Sequence, residues 1–269
     1  MPLSTIKPKQ SLGQNFLIDD NIARKIIRAL HLKSDDVILE IGPGHGALTS
    51  HFLGHVKHII AVEIDKRVIE ELRNRFSPSD VTILHGDFLQ TELIEWSRRY
   101  TEPLRIVGNI PYHLTSSILF KTFKERSFVK DLTIMVQREV AQRIVAKPGG
   151  KEYGILSVLT QFYGKPQVLF TISPNCFYPK PKVTSAVVQI GIHEQIPNDV
   201  NEQILQTVVK TTFGKRRKTL RNSLQYLPYD KALVKGFVSE KKVPVDKRPE
   251  QLSVEQFVQL TQHIEQLIS

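Results

Sequence analysis

Hydrophobic residues in the first two-thirds of the chain follow two alternating spacings, and this alternation predicts parallel strands joined by helices. Four short apolar runs have the length and the boundaries of buried strands. They are residues 37–41, 58–64, 81–84 and 104–107. Amphipathic segments lie around them, and residues 21–32 place apolar and basic side chains on opposite faces of a predicted helix. Two more strands, 167–172 and 183–190, complete a sheet of the α/β class.

The pattern changes after Gly191, where a polar link of residues 192–201 leads into segments that have only helical spacing. One of these segments carries an apolar stripe that includes Leu205 and Val208. The last predicted helix opens with Ser253 and Gln256 in capping-box spacing. We therefore predict a larger domain over residues 1–192 and a small all-helical domain over residues 193–269.

The first strand runs directly into a glycine-rich loop, Gly42-Pro43-Gly44-His45-Gly46, after which helical spacing resumes at Ala47. Glycines at alternate positions let the backbone approach a ligand closely, and a helix amino terminus presents free amides to it. The spacing is G-x-G-x-G and differs from the dinucleotide-binding pattern G-x-G-x-x-G. A nucleoside ligand is therefore favoured over a pyrophosphate, and a nicotinamide dehydrogenase is disfavoured.

Polar side chains follow the next three strands at the points where those strands end. Glu63 can accept hydrogen bonds from both hydroxyls of a ribose, and Asp87 can accept one from an adenine amino group. The fourth strand is followed by Asn109-Ile110-Pro111-Tyr112, in which an amide, a rigid proline and an aromatic ring suit a pocket for a flat, hydrogen-bonding ring. Because ligands bind at the carboxyl edge of open α/β sheets, we expect these groups to lie together.

The charge of the chain favours a polyanionic partner, because the formal net charge is +10 and the isoelectric point is about 9.6. Five of the cations fall within seven residues: Lys215, Arg216, Arg217, Lys218 and Arg221. Like charges this close repel one another unless a polyanion is near, and the alternative is a solvated helix face.

The chain has one cysteine, Cys176, which excludes an internal disulfide and a cysteine-based zinc site and suits the cytoplasm. Three histidines, His51, His55 and His58, have helical spacing, but Gly54 interrupts the helix and no carboxylate joins them. We therefore predict no metal site. No apolar run is long enough to span a membrane.

Several motifs together resemble the ribosomal RNA adenine dimethyltransferases, a family of class I S-adenosylmethionine-dependent methyltransferases, and more narrowly its bacterial small-subunit branch. The motifs are Leu39 to Gly46, Gly108 to Tyr112, Gln137 to Arg143, Pro148-Gly149 with Tyr153-Gly154, Phe177 to Val183 and Lys215 to Asn222. They stand in the family's order, and the resemblance extends from about Gln10 to the final helix. It implies a Rossmann-like, mostly parallel sheet with helices on both faces, followed by the helical domain.

The resemblance also implies roles for individual residues. The implied S-adenosylmethionine contacts are Asn15, Leu17, Gly42, Gly44, Glu63, Asp87 and Asn109. The implied target-adenine pocket consists of Asn109, Ile110, Pro111 and Tyr112, with Phe177 on the other side of the base. Residues 10–17, for which spacing alone favours a disordered arm, become part of the cofactor site. The basic segment is implied to hold ribosomal RNA.

The implied activity is transfer of methyl groups to the exocyclic amines of two adjacent adenosines near the 3′ end of small-subunit ribosomal RNA, by a cytoplasmic monomer. Other methyltransferases share the asparagine-x-proline-tyrosine chemistry and act on large-subunit ribosomal RNA, DNA adenine or protein glutamine. Proline in place of Ile110 would favour the last two. An assembly factor whose catalysis is secondary is a further alternative, which the basic helical domain fits equally well.

Overall fold

The fold is described from a computed structural model that covers residues 6–9, 12–197, 199–230 and 244–268. The strands are β1 Phe16–Leu17, β2 Val37–Ile41, β3 His58–Glu63, β4 Val81–His85, β5 Leu104–Asn109, β6 Val129–Gln137, β7 Gly164–Ile172, β8 Phe177–Tyr178 and β9 Ser185–Ile192. The helices are α1 Asp20–Ala29, α2 Thr49–Phe52, α3 Lys66–Arg75, α4 Leu93–Tyr100, α5 Thr115–Lys124, α6 Arg138–Val145, α7 Ile155–Tyr163, α8 Glu202–Gly214, α9 Leu220–Ser223 and α10 Val254–Ile268.

Seven strands form one sheet in the order β4-β3-β2-β5-β6-β9-β7. The five strands from β4 to β6 in that order pair in parallel, and β9 pairs with β6 in antiparallel orientation. The prediction of a Rossmann-like, mostly parallel sheet is therefore confirmed. Parallel pairing brings the carboxyl ends of β2, β3 and β5 to the same edge, where Ile41 lies opposite Val62 and Gly108.

Strand β6 has no counterpart among the predicted strands, although it lies inside the sheet between β5 and β9. Charged Lys130 and Asp131 interrupt its apolar run near the start, which obscures the strand pattern. Asp131 is nevertheless only 7% exposed, because a cation from the adjacent strand pairs with it. The interruption thus reflects a buried ion pair within the sheet.

Two predicted helices have different limits in the structure. Helix α1 begins after Asp19, whose side chain accepts hydrogen bonds from the backbone N–H groups of Asn21 and Ile22, and it ends at Ala29. The helix expected to resume at Ala47 is the short α2, because turns occupy residues 44–48. Gly44 and Gly46 have φ values of +54° and +75°, which glycine adopts readily and a helix does not contain.

The chain separates into two compact units that differ from the predicted linear division in one segment. The first contains the residues up to Ala141 together with Pro166–Ile192, and the second contains Gln142–Lys165 together with the residues from His193 onward. In the second unit, the Tyr163 hydroxyl at the end of α7 donates to Glu202 of α8 over 2.8 Å. Helix α7 therefore packs with the helical unit. The assignment of catalysis to residues 1–192 and of RNA binding to residues 193–269 stays a prediction.

A buried ion cluster joins the amino-terminal ends of three strands. The Arg105 guanidinium on β5 is bidentate to Asp131 on β6, with a shortest distance of 2.7 Å, and it donates to Asp36 just before β2 over 2.7 Å. It also donates to the carbonyl of Leu30, the residue just after α1, over 2.8 Å. The side chains of Arg105 and Asp36 are only 5% and 3% exposed. Lys130, which is 42% exposed, completes the cluster on Asp36.

Replacing Arg105 by methionine should destabilise the fold strongly, because it leaves two buried carboxylates and a carbonyl without their shared donor. We expect the free energy of unfolding to fall by about 3 to 5 kcal/mol, measured by urea denaturation. The matched control Lys130→Met removes a half-exposed partner and should cost about 1 kcal/mol or less. Equal losses in the two variants would contradict a structural role specific to Arg105.

Candidate active site at the carboxyl edge of the sheet

A cavity lies at the carboxyl edge of the sheet, where β2, β3, β4 and β5 end. Its walls come from the amino-terminal arm, the glycine loop and the residues that follow these strands. The predicted site residues that line it are Asn15, Leu17, Gly42, Gly44, Glu63, Asp87, Asn109, Ile110, Pro111 and Tyr112. The structure thus brings all the predicted cofactor and base-pocket residues except Phe177 to one cavity.

The glycine loop can approach its neighbours closely only because it lacks side chains at two positions. A Cβ atom on Gly44 would lie 2.8 Å from the ring of Phe16, and one on Gly46 would lie 2.8 Å from the ring of Phe76. The backbone N–H of Gly44 donates to a carboxylate oxygen of Glu63 over 3.2 Å. The loop is therefore packed between the arm and the end of helix α3, and one of its amides is directed at Glu63.

Glu63, the predicted ribose-binding residue, is buried where β3 ends. It is 4% exposed, and burial raises the pKa of its carboxyl group, whereas hydrogen bonds from the backbone N–H groups of Asp65 and Gly44 lower it. Gly44 donates to one carboxylate oxygen and Asp65 to the other, and a backbone hydrogen bond from Ile64 lowers the pKa in the same way. Since a carboxylate has about four acceptor sites, capacity remains for a ligand hydroxyl.

Asp87 uses one carboxylate oxygen to cap the short turn of residues 88–90. Its Oδ1 accepts a hydrogen bond from the backbone N–H of Leu89 over 2.9 Å. This bond fixes the carboxylate at the cavity wall. The arrangement suits an adenine amino group as hydrogen-bond donor to the second oxygen.

The side chain of Asn109 is oriented by the arm. Its Nδ2 donates to the backbone carbonyl of Asn15 over 2.6 Å, which directs the amide nitrogen toward the arm and leaves Oδ1 as the acceptor for a ligand. Gly108, the residue before it, lies against β2, because a Cβ atom there would be 2.9 Å from the carbonyl oxygen of Ile41. Gly108 therefore permits close strand packing just before the asparagine.

The two predicted aromatic residues of the base pocket are placed differently. The Tyr112 hydroxyl lies 2.6 Å from Ser185 Oγ, and burial raises the pKa of Tyr112. The ring is thereby held at the cavity wall. Phe177 is 3% exposed and belongs to the core, where it pairs with Leu17 in the two-stranded β1–β8 ribbon. Phe177 does not line the cavity, and its predicted role on the other side of the base stays a prediction.

The arm contacts the residues of the site over residues 12–17, where spacing alone favours a disordered arm and the family resemblance implies a part of the cofactor site. Gln14 donates to Asp65 over 3.2 Å, and the Phe16 ring lies 4.4 Å from the ring of His45. Backbone pairing of β1 with β8 adds a third attachment. Gln10 and Ser11, which the prediction included in the arm, lie outside the described residues.

Glu40 also lines the cavity, although no role was predicted for it from the sequence. It is 2% exposed, and burial together with the nearby charge of Glu63 raises the pKa of its carboxyl group from 4.5 to about 7. The hydroxyl of Thr49 donates to it over 2.6 Å. An acidic residue inside the otherwise apolar run Val37–Ile41 was the signal that could have identified it.

The basic segment, residues 215–221, lies in the second unit, and most of its cationic side chains contact specific partners. Lys215 and Lys218 lie over the ring of Tyr226, with Nζ atoms 4.6 and 4.8 Å from its centre. Arg221 pairs with Asp246 over 3.0 Å. Arg217 is exposed to solvent. The partners of Arg216 are a backbone carbonyl and Glu250.

The described ranges of the chain contain neither a metal-binding cluster nor a helix suited to a membrane. Within them, no three histidine, cysteine, aspartate or glutamate side chains are grouped so that they could hold a metal ion. Two of the three histidines have other partners, since His51 contacts Asp20 and His58 contacts Thr82 and Tyr100. None of the helices in these ranges combines the length and apolar character needed to cross a membrane.

Comparisons with known proteins agree over nearly the whole chain. A family model described as ribosomal RNA adenine dimethylase matches residues 5–266. A ribosomal RNA small subunit methyltransferase A of Chlorobium phaeobacteroides is 44% identical, with 97% of this chain and 95% of the relative covered. The protein of the same name from Flavobacterium johnsoniae is 41% identical, with 98% of each chain covered.

A solved structure extends the similarity to three dimensions. The crystal structure of a dimethyladenosine transferase from Plasmodium falciparum superposes with a TM-score of 0.78 at 26% identity. The superposition covers 94% of this chain and 98% of that one. The similarity therefore includes both the sheet and the carboxyl-terminal helices.

Replacing Glu40 by glutamine should remove a pH-dependent part of the stability. Folding raises the pKa of Glu40 from about 4.5 in the unfolded chain to about 7. Its contribution to the free energy of unfolding is therefore fully present below about pH 4.5 and is lost as the pH rises through 7. We expect Glu40→Gln to gain on the order of 3 kcal/mol relative to the wild type between about pH 5 and about pH 9.

Urea denaturation at several pH values measures this difference. The glutamine side chain keeps an oxygen that can accept the Thr49 hydrogen bond, so the substitution isolates the ionisation. The control Glu70→Gln, at an exposed position of α3, should follow the wild-type pH profile. If the stability of Glu40→Gln changed with pH in parallel with that of the wild type, the pKa of Glu40 would be the same in the folded and unfolded chains.

Proposed function

Since the chain belongs to the ribosomal RNA adenine dimethylase family, we propose that it methylates the exocyclic N6 amines of two adjacent adenosines near the 3′ end of small-subunit ribosomal RNA. The methyl donor is S-adenosylmethionine, and the reaction accompanies ribosome assembly in the cytoplasm, with the enzyme acting as a monomer. The observation that carries the proposal is the cavity in which the glycine loop, Glu63, Asp87 and residues 109–112 meet.

The residues of the cavity fit the cofactor. Glu63 retains acceptor capacity for a ribose hydroxyl, and the second oxygen of Asp87 can accept from the adenine amine. Gly42 leaves space for the backbone to approach the ligand, Gly44 admits the Phe16 ring of the arm, and Asn15 and Leu17 cover the ligand from the same arm. When bound, S-adenosylmethionine supplies an activated methyl group on its sulfonium.

The role of Asn109 follows from the direction of its amide. An adenine amine is a poor nucleophile, because its nitrogen lone pair is delocalised into the ring. Asn109 Oδ1, left available by the Nδ2 bond to Asn15, can accept one amine hydrogen, and the Ile110 carbonyl, held by Pro111, can accept the other. Two such acceptors draw the nitrogen toward tetrahedral geometry and aim its lone pair at the methyl group. In-line positioning of this kind can lower a barrier by about 7 to 11 kcal/mol.

Two successive transfers impose a further requirement on the pocket. After the first methylation the nitrogen keeps one hydrogen, so only one of the two acceptors is engaged in the second round. Each transfer leaves a cationic nitrogen that loses one proton to solvent, and a neutral asparagine does not retain the cation as an aspartate would. Tyr112, fixed by Ser185, offers its ring for stacking, worth roughly 1 to 3 kcal/mol per base.

Charge supports RNA as the macromolecular substrate. The net charge of +10 attracts a polyanion over a Debye length, and the basic segment concentrates five cations in the helical unit. Two of these cations face the carboxylates of Glu250 and Asp246, so Lys215, Arg217 and Lys218 are the side chains best placed for phosphates.

Replacing Asn109 by alanine should slow methyl transfer strongly and leave RNA binding intact, because the variant loses the acceptor that orients the amine. We expect a loss on the order of 10² to 10³-fold in the single-turnover rate, the range found when one preorganised hydrogen-bonding group is removed. Labelled methyl transfer to unmethylated small subunits, with the modified nucleoside identified, measures it. The matched change Asn74→Ala, at an exposed position of α3, should behave as wild type. Unchanged transfer in Asn109→Ala would refute the mechanism.

Neutralising the three available cations, as Lys215→Gln/Arg217→Gln/Lys218→Gln, should weaken RNA binding and flatten its salt dependence. If each cation neutralises one phosphate, the slope of log K against log salt should decrease in magnitude by about 2 to 3. Equilibrium binding to unmethylated small-subunit ribosomal RNA over a salt series measures the slope. A slope equal to that of the wild type would argue against the assignment of this segment to RNA.

A further inference from the structure

A second basic element of the helical unit lies outside the basic segment. It is the loop Lys147-Pro148-Gly149-Gly150-Lys151 between α6 and α7, which we call the lysine loop, and all five residues are exposed. Two hydrogen bonds attach it to distant parts of the same unit. The backbone N–H of Gly149 donates to the carbonyl of Glu250 over 2.6 Å, and Arg216 donates to the carbonyl of Gly150 over 3.1 Å.

Arg216 is used differently from the other cations of the basic segment. Its Nη2 is engaged by Gly150, and its Nε lies 3.8 Å from a carboxylate oxygen of Glu250. A planar guanidinium can direct one donor at a carbonyl while another edge faces a carboxylate, which an ammonium group cannot do with the same geometry. Arg216 therefore connects the lysine loop to the segment that contains Lys215 and Arg217.

This connection places two further cations beside the basic segment. Lys147 and Lys151 lie at the two ends of the lysine loop, and neither forms an ion pair with any residue that the structure describes. Because one arginine side chain bridges the two elements, their separation is about the length of that side chain. Glu152, the next residue, is also exposed, so the loop and its neighbour together add one net positive charge.

We propose that the lysine loop is a second phosphate-contacting element for RNA and that Arg216 is its positioning residue, in place of a direct phosphate contact. The partner is the sugar-phosphate backbone of RNA, which two spaced lysines recognise as point charges without reading the bases. The inference rests on the proposed function, since it assigns a further part of the RNA-binding surface.

The first test compares two double variants that remove the same charge. Lys147→Gln/Lys151→Gln should weaken binding to unmethylated small-subunit ribosomal RNA on the order of 10-fold at low salt and reduce the salt slope by about 1 to 2. Lys33→Gln/Lys124→Gln removes two exposed lysines of the first unit and should change the slope only through the net charge. Equal effects of the two pairs would overturn the inference.

The second test separates positioning by Arg216 from direct contact with phosphate. Arg216→Lys keeps the positive charge but loses the planar guanidinium that contacts both Gly150 and Glu250. If Arg216 positions the lysine loop, this variant should lose about as much RNA affinity as the lysine-loop variant. Adding Lys147→Gln/Lys151→Gln to Arg216→Lys should then change binding less than about twofold, because residues that act as a unit are not additive. Wild-type binding by Arg216→Lys, or full additivity, would overturn the positioning role.

Two further measurements keep these outcomes interpretable. Urea denaturation of each variant shows whether the helical unit is still folded, and the KM for RNA should rise more than kcat falls if the loop acts in binding. The triple variant of Lys215, Arg217 and Lys218 distinguishes the two levels of the proposal. If it binds RNA normally, the proposed RNA surface itself is wrong; if it binds weakly while the lysine-loop variant does not, only the present inference fails.

Discussion

The parallel register of β2 with both β3 and β5 is the constraint on which the site depends. Val37 lies opposite His58 on one side and Leu104 on the other, so the three strands end together after five or six residues. The groups at the ends of these strands therefore meet at one edge: the glycine loop after β2, Glu63 at the end of β3 and Asn109 at the end of β5. The Asn109 bond to the Asn15 carbonyl then joins that edge to a segment 94 positions earlier in the chain. The side chain proposed to orient the substrate thus also holds the arm that lines the same cavity.

Local pattern predicted the parts of the fold in which the local sequence and the tertiary structure favour the same state. Strand β2 has the predicted limits, and the residues after β3 and β5 line the cavity. Strand β6 and the 142–165 segment were not predicted in place, because both depend on distant partners. Asp131 belongs in a strand only once Arg105 pairs with it, and α7 joins the helical unit through Glu202. The spacing of residues along the sequence does not reveal either of these long-range contacts.

The candidate site shows the same division between local and distant information. Spacing identified residue types and the edge that they share, and the family resemblance added the arm. Neither contained the direction of the Asn109 amide, which a backbone carbonyl decides, nor the burial of Phe177 against Leu17. The partners of the basic segment were likewise not evident from the sequence, in which five neighbouring cations suggest a single charged patch. In the structure two of them are committed to partners at Glu250 and Asp246.

Buried carboxyl groups have a charged partner at one end of the sheet and only uncharged partners at the other. This difference distinguishes the end that stabilises the fold from the end that carries the candidate site. At the amino-terminal end, burial raises the pKa of Asp131, but Arg105 opposes this rise, and the pKa of Asp36, which shares that guanidinium, is lowered. At the carboxyl end, Glu40 and Glu63 are similarly buried but have only a hydroxyl and backbone N–H groups as partners, and burial raises the pKa of both. Two uncompensated carboxyl groups on adjacent strands lower stability at neutral pH. Such a cost is typical of groups that serve a ligand, and two buried acceptors would be useful in a cavity proposed to receive a cationic sulfonium and a ribose.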